Sequence, residues 1–179
     1  NHQGVFAFLS PVDFHKIEDI IPRLYEEGKN PLILVLDRIT DVRNLGAIAR
    51  TAECAGIHTI LIPEQNSAAI NGDAVKTSSG ALHKIPISRT WNLKLSLQLI
   101  KDSGIQLIGC TEKTQDFIYN ADFCKPTAII IGSEEDGISK EILKMCDMKT
   151  KIPINGSISS LNVSVATGII SYEAIRQRN

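Results

Sequence analysis

Three short stretches of this 179-residue chain combine glycine with polar side chains that could do chemistry. They cover residues 44–50, 131–137 and 151–166; the second follows an apolar run, and the third contains a short apolar segment, residues 152–154. Glycine lets a ligand approach the backbone closely, and the free N–H groups of a first helical turn can bind a polar group. These stretches are therefore the candidate functional site.

Five polar side chains in these stretches are the candidate catalytic residues. They are Asn44, Arg50, Glu134, Ser160 and Asn162. Four of them also have an ordinary structural interpretation: a salt bridge for the arginine, a solvated carboxylate for the glutamate, and helix caps for Asn44 and Ser160. The third stretch predicts that Ser159 or Ser160 caps the last helix and that Asn162 lies in its first turn.

The charge of the second stretch indicates which ligand it suits. Its sequence is Ile-Gly-Ser-Glu-Glu-Asp-Gly, whereas a phosphate-binding loop presents bare N–H groups and often a lysine. A dinucleotide or nucleoside triphosphate is the natural alternative, but neither Gly-x-Gly-x-x-Gly nor Gly-x-x-x-x-Gly-Lys occurs in the chain. S-adenosylmethionine carries a sulfonium cation and no phosphate, so the acidic loop favours it.

Aliphatic side chains beside the polar stretches could enclose an adenine ring. The candidates are Ile131, Ile152, Ile154 and Leu161, while backbone groups would read the edge of the base. The alternative for Ile131 is a place in the core.

Together the three stretches resemble the SpoU class of the SPOUT RNA 2′-O-ribose methyltransferases. The shared motifs are Asn-x-Gly-x-x-x-Arg, Gly-Ser-Glu-x-x-Gly-Ile, and Ile-Pro-Ile-x-Gly followed by Ser-Leu-Asn-Val-Ser-Val-Ala. The resemblance implies an S-adenosylmethionine-dependent enzyme that methylates a ribose 2′-hydroxyl in structured RNA, closest to the branch that acts on guanosine in 23S ribosomal RNA. A transfer-RNA methyltransferase and a silent RNA-binding relative are the alternatives, and the retained Asn44, Arg50 and Asn162 favour an enzyme.

The resemblance also implies roles for individual residues. Arg50 matches the catalytic arginine of the class, and because a guanidinium stays protonated we expect it to bind a phosphate and lower the pKa of the hydroxyl. Glu134 would pair with Arg50 or Asn44, while Ser160 and Asn162 would position the substrate. Residues matching cofactor contacts are Gly132, Ile152 and Leu161, with Thr111 a weaker candidate. Many relatives have glycine where this chain has Glu135, which predicts altered loop contacts.

Alternating apolar and helical patterns predict an α/β fold with a mostly parallel sheet flanked by helices. Predicted strands cover 4–8, 32–36, 59–62, 84–88, 105–110, 127–131 and 149–154. Predicted helices cover 13–27, 45–55 (capped by Asn44), 93–101, 140–145 and 161–176. Residues 63–79 are predicted to be a loop, of which 71–79 would face the substrate. The resemblance adds a C-terminal trefoil knot, with the cofactor held in the knot loops, and a homodimer built on the first motif and the last helix.

Composition sets further limits. A net charge of −1 argues against a generally basic RNA-binding coat, although Arg38, Arg43 and Lys76 could form a local one. No apolar run is long enough for a membrane span, the four cysteines form no Cys-x-x-Cys pair, and the four histidines are not at metal-ligand spacing. We therefore expect a soluble cytoplasmic domain over residues 1–179, with reduced cysteines and no metal. The resemblance implies that an RNA-binding domain precedes a catalytic domain of this kind.

Overall fold

The computed structural model describes residues 11–179, which form a seven-stranded sheet covered by helices on both faces. The strands are β1 (Phe14–His15), β2 (Leu32–Asp37), β3 (Thr59–Pro63), β4 (Ile87–Thr90), β5 (Gln106–Cys110), β6 (Thr127–Gly132) and β7 (Met148–Thr150). The helices are α1 (Ile17–Glu26), α2 (Val42–Cys54), α3 (Gly72–Thr77), α4 (Leu93–Asp102), α5 (Lys140–Met145) and α6 (Val163–Arg178). Short 3-10 turns occur at Ala81–His83 and Ile118–Asn120.

The sheet is parallel throughout the described part of the chain, in the order β1-β4-β3-β2-β6-β5-β7. The central strands β2 and β6 are buried along their whole length, because helices cover both of their faces. The predicted α/β class is confirmed. The trefoil knot stays a prediction.

Successive side chains of the central strands point to opposite faces and so build two separate apolar layers. Leu34, Leu36 and Ile129 pack with α2, α3 and α6, whereas Val35 and Ile130 pack with α1, α4 and α5. All strands run the same way, so the loops that follow β2, β5, β6 and β7 meet at one edge of the sheet. We call it the carboxyl edge. The second and third candidate stretches include loops there, and the first lies in α2, which begins shortly after β2 ends.

The N-terminal predictions need correction. Phe14–His15 is a short strand that pairs with Ile87 and Ser88, so the helix predicted from residue 13 begins only at Ile17. Lys16 precedes it and makes no side-chain cap. The strand predicted over 4–8 lies outside the described residues.

The prediction of a loop over 63–79 was wrong for its second half, where α3 forms. The Asn71 side chain caps this helix by accepting from the N–H groups of Asp73 and Ala74, each at 3.0 Å. The helix packs against Gly46 of α2, where an added β-carbon would lie 2.7 Å from the Thr77 β-carbon. The first motif therefore needs its glycine for close helix packing.

Two other boundaries differ from prediction. The strand predicted over 84–88 is displaced to Ile87–Thr90, because a 3-10 turn occupies Ala81–His83. The strand predicted over 149–154 ends at Thr150, and the chain then forms a largely exposed loop up to α6. Two of the four cysteines, Cys54 and Cys124, are exposed.

None of the described helices is long and apolar enough to cross a membrane. Within residues 11–179, no group of three or more histidine, cysteine or acidic side chains is placed to hold a metal ion.

Candidate active site

Three polar side chains from the three motifs meet at the carboxyl edge. The Nδ2 of Asn162 donates to Oδ1 of Asn44 at 3.0 Å and to Oε1 of Glu134 at 2.8 Å. The same Glu134 oxygen accepts from the backbone N–H of Val163 at 3.2 Å. These contacts join residues 28 to 118 positions apart, and we call Asn44, Glu134 and Asn162 the polar triad.

The N-caps of α6 and α2 determine which side-chain atoms of Asn162 and Asn44 are left to form the triad. Asn162 is the N-cap of α6, and its Oδ1 accepts from the N–H groups of Ser164 and Val165. Its amide nitrogen is thereby directed to the other two members of the triad. The predicted cap at Ser159 or Ser160 was wrong, and so was the placement of Asn162 within the first turn.

Asn44 likewise has its side chain free because another residue caps its helix. Helix α2 begins at Val42, and the Asp41 Oδ1 accepts from the Asn44 N–H at 2.7 Å. The prediction that Asn44 caps this helix was therefore wrong. As a first-turn residue, it can accept from Asn162 instead.

The second motif folds back on itself directly after β6. The Gly137 N–H donates to the Ser133 carbonyl at 3.0 Å, and Gly137 has a φ of 69°. A β-carbon at Gly132 would overlap the Gly137 backbone, so no other residue type fits there without moving the turn. This turn holds Glu134 toward the triad.

Arg38 fastens the turn from the end of β2. Its Nη1 lies 3.1 Å from Asp136 Oδ2, and its Nη2 donates to the Gly137 carbonyl at 3.0 Å. Lys113 Nζ donates to the Asp136 carbonyl at 3.3 Å. The acidic loop is thus held to the end of β2 by an ion pair between Asp136 and Arg38, and altered loop contacts relative to members of the SpoU class stay a prediction. Because Asp136 pairs with Arg38, the Arg38 guanidinium is less available for the local basic surface that was predicted to include it.

Beside the triad lies a cavity of about 300 Å³, which we call the cofactor cavity. Loops after β5, β6 and β7 and the start of α6 form its walls. All four predicted cofactor residues line it: Thr111, Gly132, Ile152 and Leu161. Glu134 and Ser160 line it as well, although Ser160 makes no hydrogen bond with the described residues.

The chemistry of this cavity suits S-adenosylmethionine. Ile131, Ile152 and Leu161 provide apolar wall for an adenine ring, and Gly132 leaves backbone open to the ligand. Three carboxylates line it against one cation: Glu112, Glu134 and Glu135 against Lys151. Such a balance accommodates a sulfonium ion and disfavours a polyphosphate.

One cysteine also lines the cavity, and its environment makes it inert. Burial raises the pKa of the Cys110 thiol to about 12, and the negative charge of Glu112 adds to the increase. The thiolate is the nucleophilic form of cysteine, so at neutral pH this side chain stays protonated. A reactive methyl donor can therefore lie beside it without alkylating it.

Arg50 does not join the other candidates within one chain. It lies on α2 beyond Asn44, its side chain is exposed, and it contacts no described residue by a hydrogen bond or an ion pair. Arg50 does not line the cofactor cavity. It also does not line a second, neighbouring cavity whose wall includes Asn44 and Glu134. The predicted pairing of Arg50 with Glu134 is absent from the described part of the chain.

Sequence reasoning missed three residues that shape the site. Asp41 caps α2, Arg38 fastens the second motif, and the Asp37 carboxylate accepts from the Ser139 N–H at 2.6 Å. An aspartate three residues before Asn44 was a signal for the cap. The role of Arg38 had no local signal, because its partners lie 98 and 99 positions away.

The fold and the cavity define a class of protein: a parallel α/β domain whose loops at the carboxyl edge of the sheet form a cavity suited to a cationic nucleoside cofactor. The comparison with known families is specific. Residues 31–172 match the model of the SpoU rRNA Methylase family. The chain belongs to this family, and it is thus an RNA methyltransferase that uses S-adenosylmethionine.

Similar sequences and structures agree with this assignment. The chain is 36% identical over 178 residues to the 23S rRNA (guanosine-2′-O-)-methyltransferase RlmB of Escherichia coli, covering 99% of this chain and 73% of that protein. It is 38% identical over 178 residues to RlmB of Photorhabdus laumondii, with 99% and 72% covered.

Among solved structures, an S-adenosylmethionine-bound rRNA methyltransferase from Sinorhizobium meliloti superposes with a TM-score of 0.83 at 28% identity, covering 92% of this chain and 61% of that one. The SpoU methyltransferase AviRb from Streptomyces viridochromogenes, also in complex with S-adenosylmethionine, gives a TM-score of 0.78 at 32% identity, with 83% and 61% covered. The chain therefore spans about three fifths of these two solved proteins.

Proposed function

We propose that this protein transfers a methyl group from S-adenosylmethionine to the ribose 2′-hydroxyl of a guanosine in 23S ribosomal RNA. The observation that carries the proposal is the polar triad of Asn44, Glu134 and Asn162 beside the cofactor cavity. Bound S-adenosylmethionine would supply an electrophilic methyl group. The protein must hold the 2′-oxygen in line with that methyl and assist the loss of its proton.

The triad suits the positioning part of this task. Asn162 donates to both of its partners and caps α6, so its orientation is fixed from two sides. Glu134 lines the cofactor cavity and also the neighbouring cavity, which puts its carboxylate on the wall between donor and acceptor. We assign to the triad the role of orienting the ribose.

Arg50 would act from a second copy of the chain. Its exposed guanidinium stays charged and can bind the phosphate next to the target ribose, which lowers the pKa of the hydroxyl. Because Arg50 has no partner among the described residues of its own chain, a homodimer is the arrangement that could bring it to a cofactor cavity.

An exposed apolar face supports this homodimer. Val165, Ile169 and Tyr172 follow one another at helical spacing on α6 and are 51%, 37% and 53% exposed, and Ile158 in the preceding loop is 75% exposed. Helix α6 packs on α2 near Arg50, where a β-carbon added at Gly168 would lie 3.6 Å from Thr51 Cγ2. Burying the apolar face between two copies would bring the Arg50 region into the same interface.

The relatives named 23S rRNA (guanosine-2′-O-)-methyltransferase support the choice of RNA and nucleoside. Ribosomal RNA also implies that the protein acts in the cytoplasm. Transfer RNA is the alternative substrate that the experiment has to distinguish.

The direct test is a tritiated-methyl transfer assay on unmodified 23S rRNA, 16S rRNA and transfer RNA, followed by mapping of the modified ribose. We expect label on one guanosine 2′-oxygen of 23S rRNA. Label on transfer RNA alone would change the substrate assignment, and no label on any RNA, despite calorimetric binding of S-adenosylmethionine, would overturn the proposed function. The Glu134→Gln variant serves as the matched negative control.

A further inference from the structure

Three cavities lie in a row along the carboxyl edge. The cofactor cavity and a middle cavity of about 420 Å³ share four wall residues: Ser133, Glu134, Glu135 and Val163. The middle cavity shares Thr40 and Asp41 with a third, outer cavity. A ligand in the middle cavity would therefore adjoin the cofactor on one side and the outer cavity on the other.

The middle cavity has the polar character of a site for a nucleoside rather than for a phosphate. Asn44 and Glu134 of the polar triad line it, so any ribose held there lies beside the residues assigned to orient it. Arg38 also lines it, but its guanidinium is engaged by Asp136 and the Gly137 carbonyl. The other carboxylates that line the middle cavity can accept hydrogen bonds from a ligand.

Two of these acceptors are open. Glu135 makes no hydrogen bond or ion pair with the described residues. Asp41 uses only Oδ1 to cap α2, so its second oxygen is available. Guanine presents two adjacent N–H donors on its Watson–Crick edge, and these can be met by carboxylate oxygens alone, such as the second oxygen of Asp41 and an oxygen of Glu135. Adenine, cytosine and uracil each place an acceptor beside their donor and lose one of the two bonds.

The outer cavity has a different charge. Arg43 and Lys76 line it and have no ion-pair partner within residues 11–179. Asp41 and Asp73 line it too, but Asp41 is shared with the middle cavity. Two free cations one cavity away from the proposed nucleoside site can bind a phosphate of the RNA backbone.

We propose that the middle cavity receives the target nucleoside, with Asp41 and Glu135 selecting guanine, and that Arg43 and Lys76 bind an adjacent phosphate. This inference rests on the proposed function. It adds the path of the RNA strand along the carboxyl edge, and it names residues outside the polar triad that determine which base is methylated.

The phosphate part is tested by methylation kinetics on the 23S rRNA hairpin that contains the mapped guanosine. Arg43→Ala and Lys76→Ala should each raise the KM for RNA several-fold, leave the KM for S-adenosylmethionine unchanged, and reduce the salt slope of RNA affinity by about 0.7. Lys84→Ala is the matched control, because Lys84 is an exposed lysine before β4, at the opposite edge of the sheet. Equal slopes for all three variants would overturn this part.

The base-selection part is tested with Asp41→Asn, which preserves the helix cap but turns one acceptor into a donor. We expect kcat/KM on the guanosine hairpin to fall roughly tenfold, with thermal stability unchanged. On a hairpin with inosine at the target, which lacks the 2-amino donor, the wild type should lose activity and the variant should lose much less. Glu135→Gln should behave in the same direction.

The outcomes separate this inference from the proposed function. If Asp41→Asn and Glu135→Gln discriminate guanosine from inosine as the wild type does, while methylation of the hairpin continues, the nucleoside site is wrong and the enzyme assignment stands. If the wild type methylates no RNA, the proposed function fails first, before any variant is compared.

Discussion

The polar triad and Arg50 come from the same three motifs but lie in opposite situations. Asn44, Glu134 and Asn162 are joined by hydrogen bonds of 2.8 and 3.0 Å within a single chain. Arg50, six residues after Asn44, is exposed, and its side chain makes no hydrogen bond or ion pair with the described residues. Helix caps hold Asn44 and Asn162 in position. The Arg50 side chain has no such partner within the described residues, so a group that binds it would have to come from elsewhere.

In the proposed function, the triad would orient the ribose and Arg50 would bind a phosphate of the RNA. Groups that orient a substrate benefit from a fixed geometry, because the reaction rate falls steeply when the attacking oxygen is misplaced. A cation that binds a flexible RNA phosphate can be supplied by another subunit and completed only when the substrate arrives. The contrast also predicts different consequences for stability when each residue is removed.

The largest effect is expected from Arg50→Ala. Methyl transfer should fall by at least about 100-fold, because a charged group that stabilises the developing oxyanion is lost. Cofactor affinity should stay within a few-fold of the wild type, and the melting temperature should not change, since Arg50 has no described partner. Single-turnover assays measure the rate of methyl transfer, titration calorimetry with S-adenosylhomocysteine measures cofactor affinity, and thermal unfolding measures the melting temperature. Turnover near the wild-type value would show that Arg50 is not catalytic.

Subunit mixing tests whether Arg50 acts across the dimer. Arg50→Ala and Glu134→Gln homodimers should both be inactive, but a 1:1 mixture unfolded and refolded together should regain about a quarter of the wild-type activity, because half of the dimers then contain one intact site. Mixing without unfolding is the control. No recovery, with heterodimers verified by native mass spectrometry, would mean that Arg50 serves its own chain.

Asn162→Ala should reduce both activity and stability, unlike the arginine variant. Loss of the α6 cap costs about 1 kcal/mol of unfolding free energy, which corresponds to a decrease of about 2–4 °C in Tm. Asn162→Ser retains a capping oxygen but not the donors to Asn44 and Glu134. This second variant should keep most of the stability and still lose activity, and recovery of both properties would argue that Asn162 is only a cap.

The smallest expected effect is a dependence of stability on pH that arises from the buried Cys110 thiol of the cofactor cavity, with the exposed Cys54 thiol on α2 as the control. Burial raises the pKa of Cys110 to about 12 and that of Cys146 to about 11, from an unfolded value of 9.0. Above pH 9 the unfolded chain therefore binds fewer protons than the native chain, so stability should fall as pH rises from about 9. Urea unfolding at pH 8 to 10 measures the slope. Cys110→Ala should flatten it, whereas a change at exposed Cys54 on α2 should not.

Much of the fold could be predicted because its signals are local. The aliphatic strands β2, β3 and β6 were predicted to within one residue, and α5 was predicted with its observed bounds. A strand covered on both faces needs a continuous apolar run, and that requirement is visible in the chain itself. The second and third motifs likewise mark loops that follow strands, so their convergence at one edge followed from the parallel order.

Helix starts were less predictable, because several neighbouring residues can cap and only packing selects among them. Asp41 caps α2 in place of Asn44, Asn162 caps α6 in place of Ser159 or Ser160, and Asn71 starts a helix where a loop was expected. In each case the competing side chains have similar capping ability.

The sequence by itself determined the residue types of the site: glycines where the backbone turns back, carboxylates that disfavour phosphate, and an arginine at fixed distance from an asparagine. Tertiary structure decided which of these atoms meet. The triad, the ion pair from Arg38 to Asp136 and the order of the three cavities all depend on contacts between residues far apart in the chain. Such contacts form only when the central strands align, and no local pattern encodes the distance between loops that those strands bring together.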